Sequence, residues 1–165
     1  MVPLTEHDIR ASFVNCTKGE TKRLALPRDL TERPWADLDF LGWQDPAAPQ
    51  RAYLVAESDQ GPVGVALRLA APSAGRARRS MCSLCLTNHS GGGVSLMTAR
   101  KAGPAGQQGN SVGVYICTDL ACSLYLRGQK QTGLGGRLHE SITLAEKIDR
   151  TRTNLAGFLH KVVAG

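Results

Sequence analysis

The chain has 165 residues, a net charge of +6 and only 5% aromatic residues, which fits one domain whose modest core rests on aliphatic side chains. No stretch approaches the roughly 18 apolar residues of a membrane span, and the opening MVPLTEHDIR lacks the basic start and apolar run of a signal peptide. The chain is therefore expected to be cytoplasmic and monomeric, and in a reducing compartment clustered cysteines point to metal ligands rather than disulfides.

Thr5 stands three residues before Asp8 and just ahead of Ile9, Phe13 and Val14, a capping-box variant that opens a short helix of about ten residues, with Gly19 as its stop. Further short helical pieces are predicted over 20–26, before Pro27, and over 34–41, where Pro34 suits a first turn. The string DPAAP at 45–49 is a turn. Residues 51–57 and 62–70 read as strands joined through 58–61, a first β-hairpin.

A Pro-, Gly- and Arg-containing loop over 71–80 leads to the first cysteine pair. Residues 94–100 and 111–116 pair as a second hairpin across a Gly- and Gln-rich loop at 101–110. A helix over 119–127 then closes at Gly128, which suits a left-handed cap, and Cys122 falls in its first turns. After a flexible linker at 129–136, residues Ile142, Ala145, Ile148, Leu155, Phe158 and Val162 recur at helical spacing. They predict a long amphipathic helix within 137–163, with a break near 151–153.

The resulting fold class is α+β, a single domain over 1–165: a helical part at 1–50, a hairpin and loop at 51–80, a zinc finger at 81–128 and a C-terminal helix.

Cys82-Ser-Leu-Cys85 is the C-x-x-C knuckle that lets two sulfurs reach one tetrahedral zinc. The second pair, Cys117 and Cys122, is wider than usual, a spacing that works if Cys117 ends a strand and Cys122 opens a helix whose free N–H groups face the thiolates. Two pairs flanking a hairpin form a treble-clef arrangement. With Cys82, Cys85, Cys117 and Cys122 all bound, one structural Zn2+ has no open position. His89 is the competing ligand, and Cys16 stands alone as a buried small hydrophobe.

Charge is uneven. Between Gln60 and Thr118 lie six basic residues, Arg68, Arg76, Arg78, Arg79, Arg100 and Lys101, and no acid. A surplus of that kind favours an acidic partner.

The strings CSLC at 82–85, GGGVSLMTAR at 91–100 and GVYICTDLACSLYLRG at 113–128 resemble the FBP-type C-terminal treble-clef zinc-finger domain of elongation-factor-G-binding proteins of the fusidic-acid-resistance type. FVNCTKGE at 13–20 and LDFLGWQDP at 38–46 are similar to the same family, so the likeness covers nearly the whole chain, in the manner of its small stand-alone members. The resemblance implies a non-catalytic adaptor that docks on elongation factor G or the ribosome and promotes release of the factor. The resistance proteins carry a helical bundle ahead of the finger and three cysteines with one histidine, whereas this sequence has four cysteines and no room for the bundle. By position, the partner-binding residues it implies are Leu86, Arg100, Lys101, Tyr115, Tyr125 and Arg127. Aromatic and Arg side chains rank first among them because they dominate binding hot spots.

Two rival readings follow from the same residues. Treble clefs also hold RNA or DNA, and the basic stretch suits a polyanion. A treble-clef nuclease needs a catalytic His beside a second metal cluster, and His7, His89, His139 and His160 are scattered along the chain, so no enzyme activity is expected.

Overall fold

Threonine hydroxyls begin three of the helices. Thr5, Thr17 and Thr143 each accept from the backbone N–H three residues on, while Asp8, Glu20 and Glu146 accept in return from the cap N–H groups. These reciprocal boxes open α1 (Glu6–Ser12), α2 (Lys18–Arg23) and α5 (Leu144–Val163). The computed structural model describes residues 1–71, 80–133 and 140–164. Arg76, Arg78 and Arg79 of the loop expected over 71–80, and the predicted start of the last helix at Leu138, lie outside the described residues.

Five strands follow in a meander, β1 (Leu41–Asp45), β2 (Ala48–Ser58), β3 (Gly61–Leu69), β4 (Val94–Arg100) and β5 (Ser111–Cys117), each antiparallel to the next. The two expected hairpins thus belong to one sheet. Strand β1 was not expected. The helix predicted over 34–41 overlaps it at Leu41 and shrinks to a single 3-10 turn at Trp35–Asp37, because Leu41 and Trp43 are buried as strand residues and Phe40 just before them is buried in the core. Gly19, expected to stop the first helix, lies inside α2 because Thr17 caps a new helix there. The loop expected over 101–110 contains a short helix, α3 (Gly103–Gln107), begun by Pro104.

Each sheet face is covered. Leu41, Trp43, Tyr53 and Val55 pack under Ile9 and Phe13 of the N-terminal segment, with Phe13 edge-on to both Trp43 and Tyr53. The alternate residues Ala52, Leu54, Leu67, Met97, Ala99, Val114 and Ile116 join Leu155, Phe158, Leu159 and Val162 of α5, and the four paired cysteines belong to this second core. No break interrupts α5 at 151–153: buried Thr151 donates its hydroxyl to the Lys147 carbonyl at 2.8 Å, which satisfies it without leaving the helix. The helix starts later than predicted, at Leu144 behind Thr143, and no helix among the described residues is long and apolar enough to cross a membrane.

Strands β3 and β4 pair only at Arg68↔Thr98 and Leu69↔Met97. Where the ladder parts, the Asn15 side chain fills in: its amide donates to the carbonyls of Ala66 and Arg100 at 3.0 Å each, and its oxygen accepts from Ala66 N–H at 2.8 Å. The sheet also curls far enough for β1 to touch the turn after β5. Gln44 Nε2 donates to the Thr118 carbonyl at 3.0 Å, and a Cβ on Gly42 would lie 2.6 Å from Leu120 Cβ, so only glycine fits there.

Candidate metal centre

Two tight turns present the sulfurs. In the first, Leu86 N–H donates to the Cys82 carbonyl at 3.0 Å, with Leu86 at a φ of 56°. In the second, Leu120 N–H donates to the Cys117 carbonyl at 2.8 Å, with Leu120 at a φ of 58°. Left-handed backbone costs a non-glycine residue roughly 1–2 kcal/mol, so both turns hold conformations that the chain on its own disfavours. Cys117 is the last residue of β5 and Cys122 the first of α4 (Cys122–Leu126), a shorter helix than the predicted 119–127, closed by Gly128 at a φ of 72°.

The four sulfurs lie within 4.8 Å of one another and all four residues are buried. Cys82 Sγ and Cys122 Sγ are 3.7 Å apart, and Cys85 Sγ and Cys117 Sγ 3.6 Å. A tetrahedron with zinc–sulfur bonds of about 2.3 Å has edges of about 3.8 Å, so the donor set already has the size of a zinc site. Four thiolates this close and this buried would repel one another, and a divalent cation at their centre would offset that charge and let the thiols ionise together.

The N–H groups that reach sulfur come from the first turn, Leu84 and Cys85 to Cys82 Sγ at 3.4 and 3.5 Å. The expected donation from the second helix onto the thiolates is not among the hydrogen bonds of the described residues. Thr87 Oγ1 lies 3.2 Å from Cys85 Sγ.

His89 is buried beside the site, its Nε2 3.2 Å from Cys117 Sγ. It stands as a hydrogen-bond partner of a ligand, outside the cluster of four. Its placement is tight: the backbone N–H bonds the Ser80 carbonyl at 2.6 Å, the ring stands edge-on to Tyr125 at 4.7 Å, and a Cβ on Gly93 would fall 2.5 Å from Nδ1. Tyr125 is itself held, donating to Asp119 at 2.8 Å, and Lys130 pairs with the same carboxylate at 2.7 Å. Burial acts to raise Asp119, but hydrogen bonds from Lys130, Tyr125 and Ala121 N–H outweigh it and hold the carboxyl below its usual range. Burial and the Asp119 contact push the Tyr125 hydroxyl up, keeping it neutral.

The six residues implied as partner contacts do not form one patch. Leu86 and Tyr125 line a cleft of about 70 Å³ beside the finger, together with Lys130, Lys147 and Arg150. Half-buried Tyr115 gives its carbonyl to Ser83 N–H at 2.7 Å, next to the first turn. Arg127 is committed inside the molecule: its guanidinium grips Asp39 through contacts of 2.7 and 3.1 Å, its side chain is 12% exposed, and that of Asp39 is fully buried. Arg152 joins the same carboxylate. Arg100 ends the strand that starts at Val94, about 20 Å away at a strand rise of roughly 3.3 Å per residue, and Lys101 follows it. There Arg100 meets Glu20 at 3.2 Å and Lys101 bonds the Ala164 carbonyl at 3.0 Å. Sequence reasoning missed Asp39 as an anchor, because its two arginine partners come from distant parts of the chain.

A tight turn delivering one cysteine pair, and a strand end and short helix delivering the other, to one tetrahedral centre define a treble-clef zinc-binding domain. Residues 8–162 match the family described as FBP C-terminal treble-clef zinc-finger, and the chain belongs to that family. Searches of curated proteins and of solved structures gave no match.

Proposed function

We propose that this protein is a non-catalytic zinc adaptor of the cytoplasm that docks on elongation factor G or the ribosome and promotes release of the factor. The observation that carries the reading is a closed four-cysteine centre within a chain of the FBP family: all four corners of the tetrahedron are protein sulfurs, which suits a zinc that shapes a surface and leaves no corner for substrate. Leu86, Tyr125 and Tyr115 surround the turns that the metal fixes, so the surface exists only while zinc is bound. Such an adaptor works by differential binding. It shifts the factor toward the released state only by its difference in affinity for the two states.

Binding of the zinc-loaded chain to purified elongation factor G and to vacant ribosomes, measured separately, tests the proposal. Leu86→Ala and Tyr115→Ala are expected to keep zinc yet weaken retention of the partner by about tenfold or more, the scale of a hot-spot truncation. If neither factor nor ribosome is retained by the loaded protein, the adaptor reading is wrong.

A further inference from the structure

A second feature lies on the sheet face turned away from α5. A groove of about 580 Å³ is lined by four arginines from four elements: Arg23 at the end of α2, Arg51 on β2, Arg68 on β3 and Arg100 on β4. Arg51 and Arg68 are directly opposed in the β2–β3 register, and Thr98 stands next to Arg68 in the same row. Like charges directly opposite destabilise a sheet, so this row works against the fold that carries it.

Nearby carboxylates offset it only in part. Among the described residues Arg23, Arg51 and Arg68 make no ion pair, and all three are exposed. Two carboxylates reach the groove and offset two of its four positive charges, which leaves a surplus of two. Glu20 caps α2 and meets Arg100, while buried Asp45 accepts from the Tyr53 hydroxyl at 3.0 Å and from Ala47 N–H at 2.9 Å.

The chemistry of the walls selects the occupant. Guanidinium forks match phosphate oxygens two at a time and desolvate more readily than ammonium. Tyr53 is 6% exposed and its hydroxyl is taken, so the groove offers no ring on which a base could stack. Leu24 and Leu67 are buried, which leaves no apolar pocket to anchor a peptide side chain. The short helix α2 runs along the groove with its N-terminus already closed by the Thr17–Glu20 capping box, so the converging N–H groups of a compact phosphate cradle are not on offer there. Cations spread along a channel, without stacking platforms, follow a backbone and ignore sequence.

We propose that this groove binds the sugar–phosphate backbone of a nucleic acid without reading its bases. The site is separate from the finger and stands whether or not the chain docks on a translation factor.

The test uses the full zinc-loaded chain and the fluorescence anisotropy of a labelled mixed-sequence oligoribonucleotide of about 12 residues, within the usual span of single-strand sites. A matching oligodeoxyribonucleotide and inorganic tripolyphosphate are run as separate arms. Each arginine that neutralises a phosphate contributes about −0.7 to the slope of log affinity against log salt. The double variant Arg51→Gln/Arg68→Gln is therefore expected to reduce that slope by about 1.4 and to weaken binding about tenfold or more at low salt. Lys161→Glu, which lowers the net charge by the same two units on α5 at the other side of the sheet, is expected to leave both unchanged. Because the two arginines repel each other, their removal should hold or raise the melting temperature, which guards against loss by unfolding. Equal losses in Arg51→Gln/Arg68→Gln and in Lys161→Glu would reduce the effect to net charge and overturn the proposal. Tripolyphosphate binding without oligonucleotide binding would overturn it as well, in favour of a compact phosphate site. Binding by both oligonucleotides that depends on Arg51 and Arg68 supports it.

Discussion

Asn15→Ala removes the one side chain that bridges β3 and β4 beyond their two-residue pairing. Its amide makes three hydrogen bonds, two to carbonyls at 3.0 Å and one from Ala66 N–H at 2.8 Å, and the residue is only 8% exposed. Each bond carries about 1 kcal/mol net, and backbone groups left unpaired in a poorly hydrated place add to the loss, so a cost of about 3 kcal/mol is expected. That is a large share of the roughly 5–15 kcal/mol that holds a domain together. Urea unfolding in zinc-buffered solution reads it: with a slope of about 2 kcal/mol per molar, the midpoint falls by about 1.5 M. Asn15→Asp should be no better than alanine, because a carboxylate still accepts from Ala66 but faces two carbonyls with no proton to give. A loss below about 0.5 kcal/mol for both variants, the range of ordinary surface changes, would refute the bridging role.

Cys117→Ser should lose stoichiometric zinc and melt the finger, since structural zinc contributes on the order of 10 kcal/mol, whereas His89→Ala should keep one zinc per chain by elemental analysis. Retention of metal by the serine variant would move the ligand assignment to His89. In the native zinc-loaded protein all five thiols should react slowly with an alkylating reagent at neutral pH, four because zinc holds them and Cys16 because burial, then Glu20, push its thiol up to about 11. Chelation should release four fast thiols, and a fast Cys16 before chelation would contradict the shielding of this half-buried thiol. Asp8, Glu20 and Glu146 are all held below their usual carboxyl range by their capping threonines. A depressed folded value means that the contribution is complete above the unfolded values of 3.8 and 4.5 and fades as pH falls through the folded ones, so acid should fray the helix starts. Amide exchange in the first turn of α5 near pH 4, compared between the native chain and Glu146→Gln, checks this, and an unchanged pH response in the variant would count against the cap.

The metal centre was legible early because its information is local. C-x-x-C at 82–85 is a turn of fixed reach, and the capping threonines announce helices within three residues of themselves. The β2–β3 hairpin was equally readable, since 58–61 sets its register and that register pairs residues 51 and 68. The arginine pair was therefore implied, although it stood out only once the strands were laid side by side. Strand β1 was hidden, because LGWQD carries no turn-bounded alternation strong enough to outweigh the helical start at Pro34, and burial against β2 decided its state.

By itself the sequence determined the two cysteine pairs, the β2–β3 and β4–β5 hairpins and the presence of a long terminal helix, each of which depends on short-range spacing. Tertiary structure decided the rest: that His89 supports Cys117 and stays outside the cluster, that Arg127 turns inward to Asp39, and that four arginines from four elements share one groove. These are meetings between distant parts of the chain, fixed by which faces could be buried together, and no local periodicity encodes them.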